Sequence, residues 1–189
     1  MNPADLPQAA KLGVIFSCYS NPINNGAEIA RDYGDKVAET YISPVKTMVS
    51  LGMHPAYEQE SSDVWPGLSQ FMTRKDRDGK VWGPQEQIDH PTALKMTTIW
   101  AAEYVLKPDK LGSIEKGKLA DLAVLDKDYL TISDEDVAKI QPQLTVLDGK
   151  IVFVHTQFAQ EYNLRPAGAV ISTYQDLIKR RNGQAGNGG

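Results

Sequence analysis

A short and nearly continuous apolar run at residues 14–19 constrains the fold of this chain more than any other feature. The run reads Val-Ile-Phe-Ser-Cys-Tyr and does not alternate between apolar and polar residues. Such a run is typical of a strand in a parallel sheet that is covered on both faces. A predicted helix precedes it, with Asn2 as its cap, Pro3 at its first position and Gly13 at its end. This order of elements predicts α/β structure.

The same pattern occurs a second time. Ser43 is predicted to cap the next helix, with Pro44 at the first helical position and Gly52 as the stop. The following residues, Met53–Glu60, can form a second short strand. A helix that leads into a strand twice in succession is typical of an α/β fold.

Two further helices are predicted before the pattern changes. Asp63 can cap the first of them and Asp89 the second. Between them, Asp78-Gly79 predicts a turn in a polar loop. The apolar spacing after Asp89 continues to Val105, which predicts one uninterrupted helix.

From residue 107 onward the pattern predicts β-structure. Leu122–Leu125 forms a short apolar run, and Asp148-Gly149 lies between the runs Thr145–Leu147 and Ile151–Val154. Asp-Gly favours a type I′ turn, in which both central residues need a positive φ, so this segment predicts a β-hairpin.

These changes divide the chain into three predicted segments. Residues 1–106 form α/β structure and residues 107–160 form β-structure. Residues 161–189 form an amphipathic helix, with Tyr174, Leu177 and Ile178 on its apolar face, followed by a Gly-rich tail.

Composition excludes several classes of function. Twenty Lys and Arg residues against 24 Asp and Glu give a net charge of −4, so electrostatics provides no reason to expect nucleic acid or an anionic membrane as a partner. No apolar run approaches the roughly 18 residues that suggest a membrane span. Cys18 is the only cysteine, which excludes an internal disulfide and a multi-cysteine zinc site. A cytoplasmic location fits this pattern.

One motif resembles a known family. The block Gly112–Asp126, Gly-Ser-Ile-Glu-Lys-Gly-Lys-Leu-Ala-Asp-Leu-Ala-Val-Leu-Asp, resembles the G-S-I-E-x-G-K-x-A-D block near the C-terminus of metal-dependent amidohydrolases. Thr97, Thr98, Ala101 and Ala102 are similar to the helix that precedes this block in the family. The hairpin Asp148–Val152 is similar to the final strands of the family. Residues 5–14 look like the branch that includes N-substituted formamide deformylases.

The resemblance implies a fold. It predicts the last two β/α units of a TIM-type (β/α)₈ barrel, followed by the C-terminal part of a small β-sandwich. Residues 14–19 would then be the seventh barrel strand and Met53–Glu60 the eighth. On this alignment the family's His-x-His pair and its two later histidine ligands have no counterparts, so we expect a chain that carries only the end of the catalytic barrel.

The resemblance also implies site residues. The family places an Asp on the eighth strand, where it binds metal and takes a proton from the attacking water. Asp63 is the candidate for this catalytic role, and Glu60 is a rival because the spacing from Gly52 is long. Asp63, Glu60 and His54 are the predicted metal ligands, and zinc or manganese is the implied cofactor. Capping of the next helix is an equally good interpretation of Asp63. It is compatible with the catalytic and the metal-binding roles.

Three hypotheses about function remain open at this point. The first is a hydrolase in which metal-activated water attacks a linear amide or a related ester of a small molecule. The second is a non-catalytic fragment or assembly module. The third is a promiscuous esterase that uses Glu58, Glu60 and Asp63 around a hard cation such as Mn²⁺.

The predicted fold leads to a prediction of self-association. Two barrel strands leave unpaired edges, and their helices leave apolar faces that normally pack against neighbours. We therefore expect a homodimer or a larger homo-oligomer in light scattering at micromolar concentration. A monodisperse species at the chain mass of 20.8 kDa would contradict this.

Overall fold

The two strands predicted in the first half are present and run parallel. The structure is a computed structural model that describes residues 2–58 and 63–168. In it, β1 (Ser17–Cys18) pairs with β2 (Ala56–Tyr57), with Ser17 opposite Ala56 and Cys18 opposite Tyr57. Both strands are shorter than the predicted segments 14–19 and 53–60, although Phe16 and Glu58 also take part in the backbone hydrogen bonds between them.

The described part of the chain is otherwise mainly helical, and its helices are short. They are α1 (Leu6–Lys11), α2 (Asn21–Asn24), α3 (Gly26–Tyr33), α4 (Asp35–Tyr41), α5 (Val45–Ser50), α6 (Trp65–Thr73), α7 (His90–Thr97), α8 (Ile99–Tyr104) and α9 (Thr156–Glu161), with 3₁₀ turns at Pro3–Asp5, Pro84–Glu86 and Asp136–Lys139. Both α7 and α8 contact β2, and α6 contacts α2 and α7. None of the helices in the described ranges is long and apolar enough to cross a membrane.

The described residues form two compact units. The first extends to Lys118 and includes Leu130–Ala138, and the second contains Leu119–Tyr129 and the residues from Lys139 onward. The division of the chain into segments 1–106, 107–160 and 161–189 stays a prediction. The helix predicted around Tyr174, Leu177 and Ile178 lies outside the described residues.

The second unit contains the predicted antiparallel β-structure. The strands β3 (Leu122–Leu125), β4 (Pro142–Leu147) and β5 (Lys150–Val154) form a sheet in the order β3-β4-β5. The turn residues Asp148 and Gly149 have φ values of 50° and 72°. Both values are positive, as a type I′ turn requires, so the predicted hairpin is confirmed.

The core of the first unit contains a fully buried arginine, Arg74, just after α6. Its Nε donates to the carbonyl of Trp82 at 2.9 Å, its Nη1 to the carbonyl of Ser43 at 3.1 Å, and its Nη2 to the carbonyl of Ile42 at 2.6 Å. Burial lowers the pKa of this guanidinium to about 10, and the nearby carboxylates Glu86 and Glu39 oppose that shift. The side chain therefore stays charged at neutral pH and joins three chain segments.

A second buried polar group, Asp76, organises the loop after Arg74. One carboxylate oxygen accepts from the backbone N–H groups of Asp78 at 3.0 Å and Lys80 at 2.9 Å, and the other accepts from Trp82 Nε1 at 2.8 Å. Desolvation acts to raise the pKa of Asp76, but these hydrogen bonds outweigh it and the net shift is downward. The loop predicted from Asp78-Gly79 is therefore held by a carboxylate that accepts three hydrogen bonds.

The structure differs from the sequence-based expectation at two helix ends. Ser43 does not cap α5; its φ is 43°, and its hydroxyl donates to the carbonyl of Tyr19 at 2.7 Å. The helix predicted to continue from Asp89 to Val105 is broken at Thr98. There Thr97 and Thr98 both donate their hydroxyls to the carbonyl of Leu94, which competes with the backbone ladder.

The hairpin turn leads to the first structural prediction. Replacing Gly149 with Val should destabilise the second unit by about 1–2 kcal/mol, because an L-residue in the left-handed region is strained and a β-branched one especially so. No atom lies within 4 Å of the position that a Cβ would take, so the effect should come from the backbone alone. Urea unfolding measures it, and Gly149→Asn is the matched control because Asn tolerates positive φ. Equal urea midpoints for Gly149→Val and Gly149→Asn would show that the turn is of another type.

Asp76 leads to the second structural prediction. Asp76→Ala should destabilise the first unit by about 3 kcal/mol, because the buried Trp82 indole N–H and two partly buried backbone N–H groups would lose their acceptor. Since its folded pKa is lowered, the stability that Asp76 provides is present above the unfolded value of 3.8 and is lost as pH falls through the folded pKa. The difference between wild type and Asp76→Ala in thermal unfolding should therefore shrink below about pH 4. Asp78→Ala in the same loop is the control, and a difference that grows on acidification would contradict the assignment.

Candidate functional site

The parallel pairing of β1 and β2 brings the residues that follow each strand to the same edge. The register continues beyond the strands, since Glu58 N–H donates to the carbonyl of Cys18 at 3.0 Å. Tyr19 and Ser20 follow β1, and Glu58 follows β2. Polar side chains from both strand ends therefore lie next to each other.

Glu58 links the two strand ends through its carboxylate. One oxygen accepts from the hydroxyl of Ser17, and the other accepts from the hydroxyl of Tyr19 at 3.1 Å. The side chain is otherwise exposed to solvent. Two hydroxyl donors thus orient a carboxylate at the open edge of the strand pair.

Tyr57, the last residue of β2, extends toward the first turn of α6. Its hydroxyl hydrogen bonds with Ser20, and its ring packs edge-on against Phe71 with the centroids 5.5 Å apart. A Cβ on Gly67 would lie 1.7 Å from the Tyr57 hydroxyl oxygen, so only glycine fits there. Burial raises the pKa of Tyr57, and the Ser20 hydrogen bond opposes part of that shift. The phenol is therefore neutral at pH 7.

Asp63 lies at the start of α6, on the same edge. Its Oδ1 accepts from the backbone N–H of Trp65, the first residue of α6, at 3.2 Å, and the residue is partly buried. The N-cap of α6 is Val64 and no described side chain caps this helix, so the prediction that Asp63 is the cap is wrong by one residue. The catalytic and metal-binding roles of Asp63 stay predictions. Glu60, the rival candidate, lies in the stretch 59–62, outside the described residues.

These residues enclose a cleft of about 290 Å³, at the small end of the range for ligand pockets. Its lining consists almost entirely of polar side chains from the two strand ends, α2 and α6: Tyr19, Ser20, Asn21, Asn24, Tyr57, Glu58, Asp63, Pro66, Gly67 and Gln70. Backbone and side-chain donors and acceptors therefore meet in one cavity.

His54 does not lie with Asp63. It precedes β2 whereas Asp63 follows it, and His54 is not part of the cleft lining. Its ring stacks on Trp100 with the centroids 5.0 Å apart, and its Nδ1 lies 2.6 Å from a carboxylate oxygen of Glu103. The geometry therefore gives no support to His54 as a ligand that shares a metal with Asp63.

The described residues do not fit a complete metal site. Across 2–58 and 63–168, no group of three or more His, Cys, Asp or Glu side chains is placed to hold an ion. Each of the other two histidines lies elsewhere. The Nδ1 of His90 is 3.7 Å from a carboxylate oxygen of Asp134, and His155 is buried at the start of α9.

Sequence reasoning considered Glu58 and Asp63 but missed the hydroxyl groups that organise the cleft. Ser17, Tyr19, Ser20 and Tyr57 all lie at or next to the C-terminal end of a parallel strand. Their position at the ends of predicted parallel strands could have identified them from the sequence, because the ends of parallel strands meet at one edge of a sheet.

Comparison with curated proteins gives two relatives, a deformylase and a deaminase. The chain is 27% identical over 131 residues to an N-substituted formamide deformylase of Arthrobacter pascens, covering 65% of this chain and 23% of the relative. It is 35% identical over 91 residues to a 5-methylthioadenosine/S-adenosylhomocysteine deaminase of Thermodesulfovibrio yellowstonii, covering 45% of this chain and 20% of the relative. The chain thus spans less than a quarter of the length of either protein.

Solved structures share the fold over nearly the whole chain. A zinc complex of atrazine chlorohydrolase from Arthrobacter aurescens matches 97% of this chain and 38% of its own, with a TM-score of 0.57 and 18% identity. A zinc-bound adenosine deaminase from Xanthomonas campestris matches 98% of this chain and 40% of its own, with a TM-score of 0.57 and 16% identity. These matches indicate that the described units correspond to part of a larger fold.

The family model of the Amidohydrolase family matches residues 1–153, which include both strand ends, the cleft and the Gly112–Asp126 block. The resemblance carried by that block is therefore confirmed, and this chain belongs to the amidohydrolase family.

Proposed function

We propose that this chain provides one part of a hydrolase that cleaves a linear amide or a related ester of a small molecule. The observation that carries the proposal is the polar cleft at the C-terminal ends of β1 and β2. Active sites of barrel enzymes lie at this end of the strands. Family membership and the similarity to a formamide deformylase support a reaction at a carbon–nitrogen bond.

In this proposal β1 and β2 are the seventh and eighth strands of a TIM-type barrel. Their parallel pairing and the helices that pack against them support that assignment. The β3-β4-β5 sheet then corresponds to the C-terminal part of the small sandwich. The remaining strands and ligands of the active site would come from polypeptide other than these 189 residues.

Zinc or manganese remains the expected cofactor of the whole enzyme, on the basis of family membership alone. Because the described residues do not fit a complete site, the chemistry that can be assigned to this chain is that of its carboxylates. A carboxylate at the strand end can take the proton from an attacking water, and such general-base catalysis contributes about 10²–10⁴-fold.

Two residues compete for this role. Glu60 is three residues beyond Tyr57, the end of β2, whereas Asp63 is six residues beyond it. Asp63 uses one oxygen to accept from the backbone N–H of Trp65, and it lines the cleft. We assign the base to Asp63 and keep Glu60 as the alternative.

The alternative function is that of a non-catalytic fragment or assembly module. The observation in its favour is that the described residues provide no group of three metal-binding side chains. The promiscuous esterase based on Glu58, Glu60 and Asp63 has less support, because Glu58 and Asp63 line the cleft without a third metal-binding side chain among the described residues.

The proposal predicts weak hydrolysis by the chain alone. With added Zn²⁺ or Mn²⁺ we expect activity on p-nitrophenyl acetate that increases with pH and exceeds activity on an N-substituted formamide. Asp63→Asn should lower the ester rate about a hundredfold. Asn keeps an oxygen that can accept from the Trp65 N–H, so this substitution separates chemistry from folding, whereas Asp63→Ala should also cost about 1 kcal/mol of stability by removing that acceptor.

Glu60→Gln is the matched variant. If Glu60→Gln lost ester hydrolysis and Asp63→Asn kept the wild-type rate, the general base would be Glu60. Absence of turnover in the wild-type chain, with or without metal, would favour the non-catalytic alternative. Efficient hydrolysis that resists chelators and survives both substitutions would contradict the proposed site.

A further inference from the structure

We infer that the hydroxyl groups of Ser20 and Tyr57 form a carbonyl-binding pair in the cleft, which donates a hydrogen bond to the carbonyl oxygen of a small linear amide. The inference rests on the proposed function, because it takes this cleft as the place where the scissile amide binds. It adds which side chains of this chain hold the carbonyl group.

The two hydroxyl groups lie beside one point of the cleft wall. A Cβ on Gly67 would overlap the hydroxyl oxygen of Tyr57 and would lie 3.0 Å from Oγ of Ser20. All three residues line the cleft of about 290 Å³. Tyr57 ends β2, and Ser20 lies two residues beyond the end of β1. The two strand ends therefore bring two hydroxyl groups to the same place, and the glycine in α6 leaves that place open.

The pair has one proton more than its own hydrogen bond uses. Each hydroxyl carries one proton and can also accept. Ser20 and Tyr57 hydrogen bond to each other, which takes one of the two protons. Within residues 2–58 and 63–168, neither hydroxyl has a further hydrogen-bond partner. The second proton is therefore available to a ligand in the cleft, whichever of the two oxygens carries it.

The pair is also held in position before a ligand binds. The side chain of Ser20 belongs to a residue that is only 8% exposed, and the ring of Tyr57 packs edge-on against Phe71. Fixed donors lose less entropy on binding than flexible ones. When a water oxygen bonds to the carbonyl carbon, the carbonyl oxygen gains negative charge, and a donor fixed beforehand stabilises that charge.

The phenol of Tyr57 keeps its proton for this role. Burial raises its pKa, and the hydrogen bond from Ser20 opposes only part of the shift. The adjacent carboxylate of Glu58 accepts from Ser17 and Tyr19 instead. Tyr57 therefore acts as a neutral donor at pH 7.

Two probes of the same shape test the inference on the full chain: N-methylacetamide labelled with ¹³C at the carbonyl, and N-methylthioacetamide. They differ in the acceptor, because sulfur accepts hydrogen bonds more weakly than oxygen. Binding is measured by ¹⁵N chemical-shift titration of the protein with a chelator present, so that neither metal nor turnover contributes. We expect shifts at the strand ends, and we expect the carbonyl ¹³C resonance of bound N-methylacetamide to move downfield, as it does on hydrogen bonding.

Tyr57→Phe keeps the ring and removes the hydroxyl. It should weaken binding of N-methylacetamide about fivefold and of the thioamide by less than about twofold, and it should reduce the downfield ¹³C shift. Ser20→Ala is the second variant and removes the other hydroxyl; because Tyr57 can still donate, the loss for N-methylacetamide should be about twofold. Tyr104→Phe is the matched control, since Tyr104 is an exposed tyrosine at the end of α8 and is not part of the cleft lining.

Four results would overturn the inference: no binding of N-methylacetamide, shifts confined to residues away from the strand ends, equal losses for both probes in Tyr57→Phe, or unchanged affinity in Ser20→Ala. A ¹³C shift that persists unchanged in Tyr57→Phe would overturn it as well. Binding that depends on the two hydroxyls without any hydrolysis would uphold the inference and count against the proposed function alone. Hydrolysis at an equal rate in wild type and Tyr57→Phe would overturn the inference and leave the proposed function intact.

Discussion

The buried guanidinium of Arg74 is the interaction on which the first unit and its cleft depend. It donates to the carbonyls of Trp82, Ile42 and Ser43, which belong to segments far apart in the sequence. A buried charge is tolerated only when its donors are satisfied, so these three carbonyls must stay in place. Arg74 thereby fixes the end of α6 against the turn that precedes α5.

This constraint extends to the cleft through a short chain of hydrogen bonds. Ser43, held by Arg74, donates its hydroxyl to the carbonyl of Tyr19, and Tyr19 in turn donates its hydroxyl to Glu58. Ser43 has a positive φ, and two hydrogen bonds stabilise this conformation: its carbonyl accepts from Arg74 and its hydroxyl donates to Tyr19. The Glu58 carboxylate in the cleft is thus positioned by hydrogen bonds that lead back to the buried Arg74.

The helix α6 supports the cleft from the other side. Asp63 accepts a hydrogen bond from the N–H of its first residue, Trp65, and Gly67 leaves room for the Tyr57 hydroxyl that hydrogen bonds with Ser20. The same helix ends at Arg74. One helix therefore connects the buried network to the strand ends, which explains why a cleft forms even though only two parallel strands are present among the described residues.

The sequence alone determined the features that depend on neighbouring residues. The caps at Asn2 and Asp89 and the hairpin at Asp148-Gly149 follow from local hydrogen bonds and from positive φ, and the family block lies within one continuous segment. Only the tertiary structure decided the partners of Glu58, the position of His54 before β2, and the burial of Arg74. Ser17 and Glu58 are 41 positions apart, and Arg74 contacts residues more than 30 positions away. Their contacts depend on how the strands and helices pack against each other, which no local pattern of residues encodes.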